Sequence, residues 1–128
     1  MDLLKGKNIV ITGASSGIGK ALSIEASKCG ANLVLASRQI DQLEAIKSEI
    51  SNPVSTIFCI QTDVTSQKEC ENLIHLAKQK LGSIDVLINN AGISMRAAFD
   101  EVETRVLEEI MNVKFWGTVY CTKAAISS

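Results

Sequence analysis

Apolar and polar positions along this chain fall into two alternating kinds of block. Short runs rich in Val, Ile and Leu, bounded by turn residues, read as strands buried on both faces. Longer stretches whose apolar residues recur every three or four positions read as amphipathic helices. The first strand is predicted over residues 8–12, between Gly6 and Gly13. A helix follows over 17–29, with Ile18, Ala21, Leu22 and Ala26 at helical spacing and Gly30 as its stop. The second strand is predicted over 32–36. The second helix covers 40–50, with Ile40, Leu43, Ile46 and Ile50 on one face, and Asn52-Pro53 breaks it. The third strand is 55–61. Ser66-Gln67-Lys68-Glu69 has capping-box spacing and opens a third helix. Its apolar face is Cys70, Leu73, Ile74, Ala77 and Leu81, and Gly82 ends it. The fourth strand is 84–89. Asp100-x-x-Glu103 can cap a fourth helix that carries Val106, Ile110 and Val113 and continues toward the C-terminus.

Four β-α units joined by crossover-length connections imply parallel strands and right-handed crossovers. The fold class is therefore α/β: a doubly wound parallel sheet of Rossmann type, ending after the fourth β-α unit. Its predicted strand order is 3-2-1-4. The order reverses between strands one and four, and ligands of such sheets bind in the crevice at the strands' C-terminal ends there. Residues 13–19 and 89–92 face that crevice. Arg38 and Asp63 end strands two and three on the same edge.

Gly13, Gly17 and Gly19 stand between the first strand and the first helix. Glycines let backbone approach a ligand with no Cβ in the way. The helix start offers unpaired N–H groups and the positive end of its dipole. This combination suits the pyrophosphate of a dinucleotide. It is not a P-loop, because Lys20 is followed by Ala21 and residue 14 is alanine. The spacing also departs from Gly-x-Gly-x-x-Gly.

Composition narrows the picture. The chain has 128 residues, room for one domain (1–128), and 46% hydrophobic residues, enough for a core. A net charge of −1 without basic runs argues against nucleic acid. No apolar run approaches the ~18 residues of a membrane span. Residues 1–7 lack the apolar stretch of a signal peptide. The four cysteines are scattered with no Cys-x-x-Cys, so no metal site or disulfide framework is expected. A reduced, cytoplasmic setting fits them. Cys59 and Cys70 lie on apolar faces and are expected in the core. His75, the single histidine, reads as a structural residue on a helix.

Four motifs occur in order: Thr12-Gly13-Ala14-Ser15-Ser16-Gly17-Ile18-Gly19, Asp63-Val64, Asn89-Asn90-Ala91-Gly92 and Met111-Asn112-Val113. Together they resemble the short-chain dehydrogenase/reductase family across essentially the whole chain. The resemblance implies an oxidoreductase that moves hydride between nicotinamide and a carbonyl or alcohol, and a homo-oligomer in full-length form. It implies that Gly13, Ser15, Ser16, Gly17, Ile18 and Gly19 wrap the pyrophosphate. Asp63 and Val64 would receive the adenine, Asp63 accepting from its amine. Asn90, Ala91 and Gly92 would line the ribose and nicotinamide side, and Asn89 would tie neighbouring strands. Asn112 matches the helix asparagine of the family's catalytic proton relay. Plainer roles stand beside these: Asp63 as a cap of the loop before Ser66, Asn89 and Asn90 as turn residues, Asn112 as a solvent-facing helix residue.

Cofactor choice is read at the end of strand two. NAD sites place an acid there to bond the ribose 2′-hydroxyl. Here Ser37 stands with Arg38 beside it. Arginine matches phosphate with a forked donor, so NADP is favoured over NAD. The Leu-Ala-Ser-Arg sequence also resembles NADP-using members, although the basic residue that many of them carry before the second glycine is Ser16 here. The alternative is Arg38 as an ordinary surface charge.

The family's catalytic serine and Tyr-x-x-x-Lys pair are not found. Tyr120 and Lys123 are three apart and on the helix of Asn112. The chain thus resembles the first half of a family member. Two readings follow: an NADP-dependent oxidoreductase whose catalytic half lies outside these residues, or a non-catalytic nucleotide-binding or partner-binding chain.

Overall fold

Four consecutive apolar or β-branched positions, residues 9–12, follow Asn8 in β1 (Asn8–Thr12), and all four are buried. The computed structural model describes residues 2–50, 54–91 and 104–126. β2 (Asn32–Ser37) lies parallel to β1 with Val10 opposite Val34. β3 (Ile57–Gln61) extends the sheet beyond β2, and β4 (Val86–Ile88) pairs with β1 on its other side. The sheet is parallel throughout, in the order β3-β2-β1-β4. That is the predicted order, with its reversal between β1 and β4.

Successive strand residues point to opposite faces, and each face has its own core. Ile9, Ile11, Leu33 and Leu35 pack with Leu43 and Ile46 of α2 (Ile40–Glu49) and Ala26 of α1 (Gly17–Lys28). Val10, Val34 and Ile60 pack with Cys70, Leu73 and Ala77 of α3 (Gln67–Leu81). Helices on both faces explain why these strands read as unbroken apolar runs rather than as alternation.

The buried face of α1 differs from the pattern. Gly19, Ser23, Ala26 and Ser27 are buried, while Ile18 is 71% exposed and Ala21 and Leu22 also face solvent. The reason is close approach. A Cβ on Gly19 would overlap Gly13 O, so only small residues fit against the sheet, and the larger apolar side chains turn outward. Ser23 satisfies its buried hydroxyl by donating to Gly19 O at 2.7 Å.

Side chains also shorten two strands. β3 starts later than predicted because Asn32 Oδ1 accepts from the Thr56 N–H at 3.3 Å, outside the regular ladder. β4 starts at Val86 because the Asp85 carboxylate accepts from Asn8 N at 2.8 Å. Beyond Ile88 the chain turns onto Thr12. The predicted break at Asn52-Pro53 and the cap at Asp100 and Glu103 lie outside the described residues.

Ser66 caps α3, accepting from Glu69 N at 3.2 Å. Glu69 does not return the bond as a capping box requires. Its carboxylate takes the Asp63 N–H at 3.0 Å, while Ser66 N donates to Asp63 O. Ser66→Ala is expected to cost about 1 kcal/mol, read as a lower urea midpoint at unchanged slope.

The last helix is in three pieces rather than one. α4 (Thr104–Met111) leads into a π-helical segment (Asn112–Trp116), and α5 (Gly117–Ile126) follows. Gly117 N donates to Asn112 O, the five-residue step of a π turn. Single π turns concentrate at functional sites. Hydrophobic periodicity has no signature for them. Among the described residues no helix is long and apolar enough to cross a membrane.

Candidate functional site

The site is assembled around one hydroxyl. Thr12 is buried at the end of β1, and its Oγ1 accepts from both Asn90 N and Ala91 N at 3.1 Å. Asn90 Nδ2 donates to Gly13 O at 3.1 Å. These bonds press the glycine-rich turn against the chain leaving β4. Gly13 sits there at φ +61°, and a Cβ on it would stand 2.7 Å from the Ala91 backbone. Glycine is needed at this position on both counts.

A cleft of about 490 Å³ opens at these strand ends. Gly13, Ser15 and Ser16 line it from the turn, Asn90 and Ala91 from the end of β4. Ser37, Arg38 and Gln39 line it beyond β2, and Asp63 and Val64 beyond β3. Eight residues singled out from the sequence therefore meet at one cleft. Gly17, Ile18 and Gly19 do not line it. Gly17 opens α1 at φ +56° with open space where a Cβ would project, Ile18 faces solvent, and Gly19 is buried beneath the turn. Gly92 lies outside the described residues.

Ser15 and Ser37 hydroxyls are 2.8 Å apart, and Ser37 Oγ accepts from Gln39 N at 3.0 Å. This chain of bonds ties the glycine turn to the end of β2. Arg38 is exposed beside it, its main-chain oxygen accepting from Gln61 Nε2 at 3.2 Å. Asp63 Oδ1 accepts from Thr65 N at 3.0 Å and Thr65 Oγ1 at 2.7 Å. The aspartate therefore shapes its own loop, as its plainer reading holds, while it lines the cleft. Val64 is buried, with Val113 of the π segment nearby in the same core.

Asn89 departs from expectation. Its Nδ2 donates to Thr122 Oγ1 of α5 at 3.2 Å, so it ties β4 to a helix rather than to a strand. Strand alternation turns Asn89 to the α5 side, and Asn90 makes the link to the glycine turn. Asn112 is exposed and lines a smaller adjoining cleft of about 380 Å³ with Arg38, Asp63 and Arg105. Tyr120 and Lys123 lie in another groove, with His75 and Lys78 between α3 and α5.

Thr12 and Val113 stand within the motifs without a role of their own there, and Gln42 and Thr62 lie outside them. Gln42 and Thr62 carry no motif signal. Among the described residues lining the main cleft, Arg38 and Asp63 are the ionisable ones.

A parallel doubly wound sheet with a glycine turn at its switch point is the architecture of Rossmann-type α/β proteins. The family profile described as short chain dehydrogenase matches residues 7–128, and the chain belongs to that family. It is 38% identical over 130 residues to 3-ketodihydrosphingosine reductase of Bos taurus, covering 98% of this chain and 39% of that protein. A short chain dehydrogenase from Mycobacterium smegmatis superposes with a TM-score of 0.92 at 27% identity, over 99% of this chain and 53% of that one. A 3-ketoacyl-(acyl-carrier-protein) reductase from Brucella melitensis, complexed with NADH, gives 0.89 at 29% identity over 97% and 50%. The chain thus spans about two fifths of the bovine relative and about half of each solved structure. The family consists of oxidoreductases that use nicotinamide cofactors.

Proposed function

We propose that residues 1–128 form one nucleotide-binding domain of an NADP-dependent oxidoreductase acting on a ketone or the matching alcohol. The names of two similar proteins carry a 3-keto group, which supports a ketone as the reacting function. The carrying observation is the end of β2, where the Ser15–Ser37 pair and Arg38 line the cleft in the place an NAD site gives to an acid. An arginine there suits a 2′-phosphate and an acid repels it.

The cradle fits a dinucleotide. The open space above Gly17 and the helix start of α1 receive the pyrophosphate, with Gly13, Ser15, Ser16, Ile18 and Gly19 shaping the turn. Asp63 and Val64 hold the adenine, with Val113 beneath. Asn90, Ala91 and Gly92 guide the ribose and nicotinamide end, and Asn112 belongs to the catalytic relay through the π turn it opens. When bound, the nicotinamide supplies or accepts hydride. We place the protein in a reducing, cytoplasmic setting and its full-length form as a homo-oligomer.

Arg38→Ala is expected to weaken 2′,5′-ADP and NADPH by about ten- to a hundredfold and leave 5′-AMP and NADH nearly unchanged. Calorimetric or fluorescence titration reads this, and equal losses for both cofactors would remove Arg38 from the phosphate. A second reading, nucleotide binding without turnover, is favoured by one observation. The single tyrosine, Tyr120, lines the α3–α5 groove instead of the cleft.

A further inference from the structure

A glycine opens α5 where the backbone does not ask for one. Gly117 has φ −59° and ψ −43°, ordinary helical values that any residue adopts. Helical chain runs on both sides of it, and glycine is among the poorest helix formers. Space supplies the reason. Gly117 is buried, and a Cβ on it would stand 2.9 Å from both Cβ and Cγ2 of Val64 and 3.1 Å from Val64 O. Nonbonded carbons sit at about 3.5–4.0 Å.

Val64 lines the main cleft beside Asp63. The turn that carries both is held from α3. Cys70 Sγ donates to Val64 O at 3.4 Å, Ser66 N donates to Asp63 O at 3.0 Å, and Asp63 N donates to the Glu69 carboxylate at 3.0 Å. α5 is held as well. Thr122 Oγ1 accepts from Asn89 Nδ2 at 3.2 Å, and Ala125 O accepts from Lys78 Nζ at 3.2 Å. Both sides of the contact are thus tied to the rest of the fold. A side chain at residue 117 acts on Val64 and on the wall to which Val64 belongs.

We infer that Gly117 is a positioning residue for the cleft: having no side chain, it seats Val64 and so fixes the reach of the Asp63 carboxylate toward a purine 6-amino group. The roles of Asp63 and Val64 rest on the nucleotide-binding reading above. In Gly117→Ala the new Cβ and the Val64 carbons must part by about 0.6–1.1 Å, the gap between 2.9 Å and ordinary contact. Asp63 moves with its neighbour. A hydrogen bond of ordinary length, lengthened by that much, is lost.

Titration calorimetry with 5′-AMP and 5′-IMP reads the effect, because the two differ in carrying an amine or an oxygen at C6. Wild-type protein is expected to prefer AMP by about tenfold, the worth of one hydrogen bond to a charged group. Gly117→Ala should weaken AMP by about tenfold and bring the ratio close to one. In a Val64→Ala background the same substitution should cost less, since Cγ2 is gone. Thr118→Ala, the next residue along α5, is the control and should keep the preference. Hydrogen exchange read by mass spectrometry needs no ligand. The N–H groups of Asp63, Thr65 and Ser66 are all bonded within the turn, and their exchange should quicken in Gly117→Ala.

A Gly117→Ala protein that keeps the AMP preference would overturn the inference, even with a lowered melting temperature, because Gly117 would then serve packing alone. Equal losses with and without Val64→Ala would do the same. So would wild-type protein that binds AMP and IMP alike, which removes Asp63 from the amine. Where Gly117→Ala fails to fold, recovery of folding by Val64→Ala supports the contact and continued failure overturns it. Wild-type protein that binds neither nucleotide would instead defeat the nucleotide reading, with exchange at residues 63–66 still deciding whether Gly117 seats the wall.

Discussion

Gly19→Val is expected to lower stability by more than about 3 kcal/mol and to abolish nucleotide binding, beyond the usual range for overpacking a core. A Cβ at residue 19 would overlap Gly13 O and come within 2.9 Å of Gly13 C. Those atoms are backbone and cannot rotate aside. It would also stand 2.5 Å from Asn90 Nδ2, the donor that joins the turn to the end of β4. A branched side chain therefore forces α1 off the sheet and opens the turn at once. For a domain stable by about 5–15 kcal/mol, that is a large share of the total.

Gly17→Ala separates folding from binding. Its Cβ meets nothing in the protein, and only the φ of +56° resists it, at a cost of about 1–2 kcal/mol. That variant should fold and lose affinity, because the proposed pyrophosphate site takes the open space at Gly17. Thermal melts by circular dichroism with NADPH fluorescence titration compare the two. A Gly19→Val protein with wild-type melting and binding would show that α1 does not rest on the turn as described.

The contrast between these glycines shows how far the sequence could be read. Strand runs, helix stops and crossover lengths gave the sheet order, because burial on both faces leaves an unbroken apolar signature. The cleft was legible because its motifs sit at strand ends whose positions the topology dictates. Close approach was less legible. Ile18 and Leu22 have helical spacing, but whether they face the core depends on how near α1 lies to β1, which Gly19 and Ser23 decide. Side-chain substitution for ladder bonds by Asn32 and Asp85 was also hidden, since it needs a partner more than twenty residues away. The π turn at Asn112 depends on which carbonyl Gly117 chooses, and no local propensity states that choice.

The 128-residue polypeptide by itself is expected to self-associate and to show no oxidoreductase turnover. β4 pairs with β1 on one side, and among the described residues no strand pairs with the other. Val86 there is 38% exposed, on an edge carrying Val86, Leu87 and Ile88. Unprotected apolar edges pair with other chains. The last helical stretch adds a second surface. Phe115 and Trp116 are 50% and 44% exposed. Phe115 packs edge-on against Trp116 at 5.1 Å, and Trp116 stacks on Tyr120 at 6.1 Å, which makes a continuous aromatic strip. A contiguous apolar patch of this kind favours association over solvent contact. Chemistry is the other half of the expectation. Hydroxyls, amides, Arg38 and Asp63 line the cleft among the described residues. Residue 124, four beyond Tyr120, is alanine, so no Tyr-x-x-x-Lys pair stands within these residues to move a proton to a carbonyl. Size-exclusion chromatography with light scattering reads the first expectation, and NADPH oxidation with a panel of ketones reads the second. A monomer that melts cooperatively and oxidises NADPH with a ketone would overturn both, and would require a proton donor other than a Tyr-x-x-x-Lys pair.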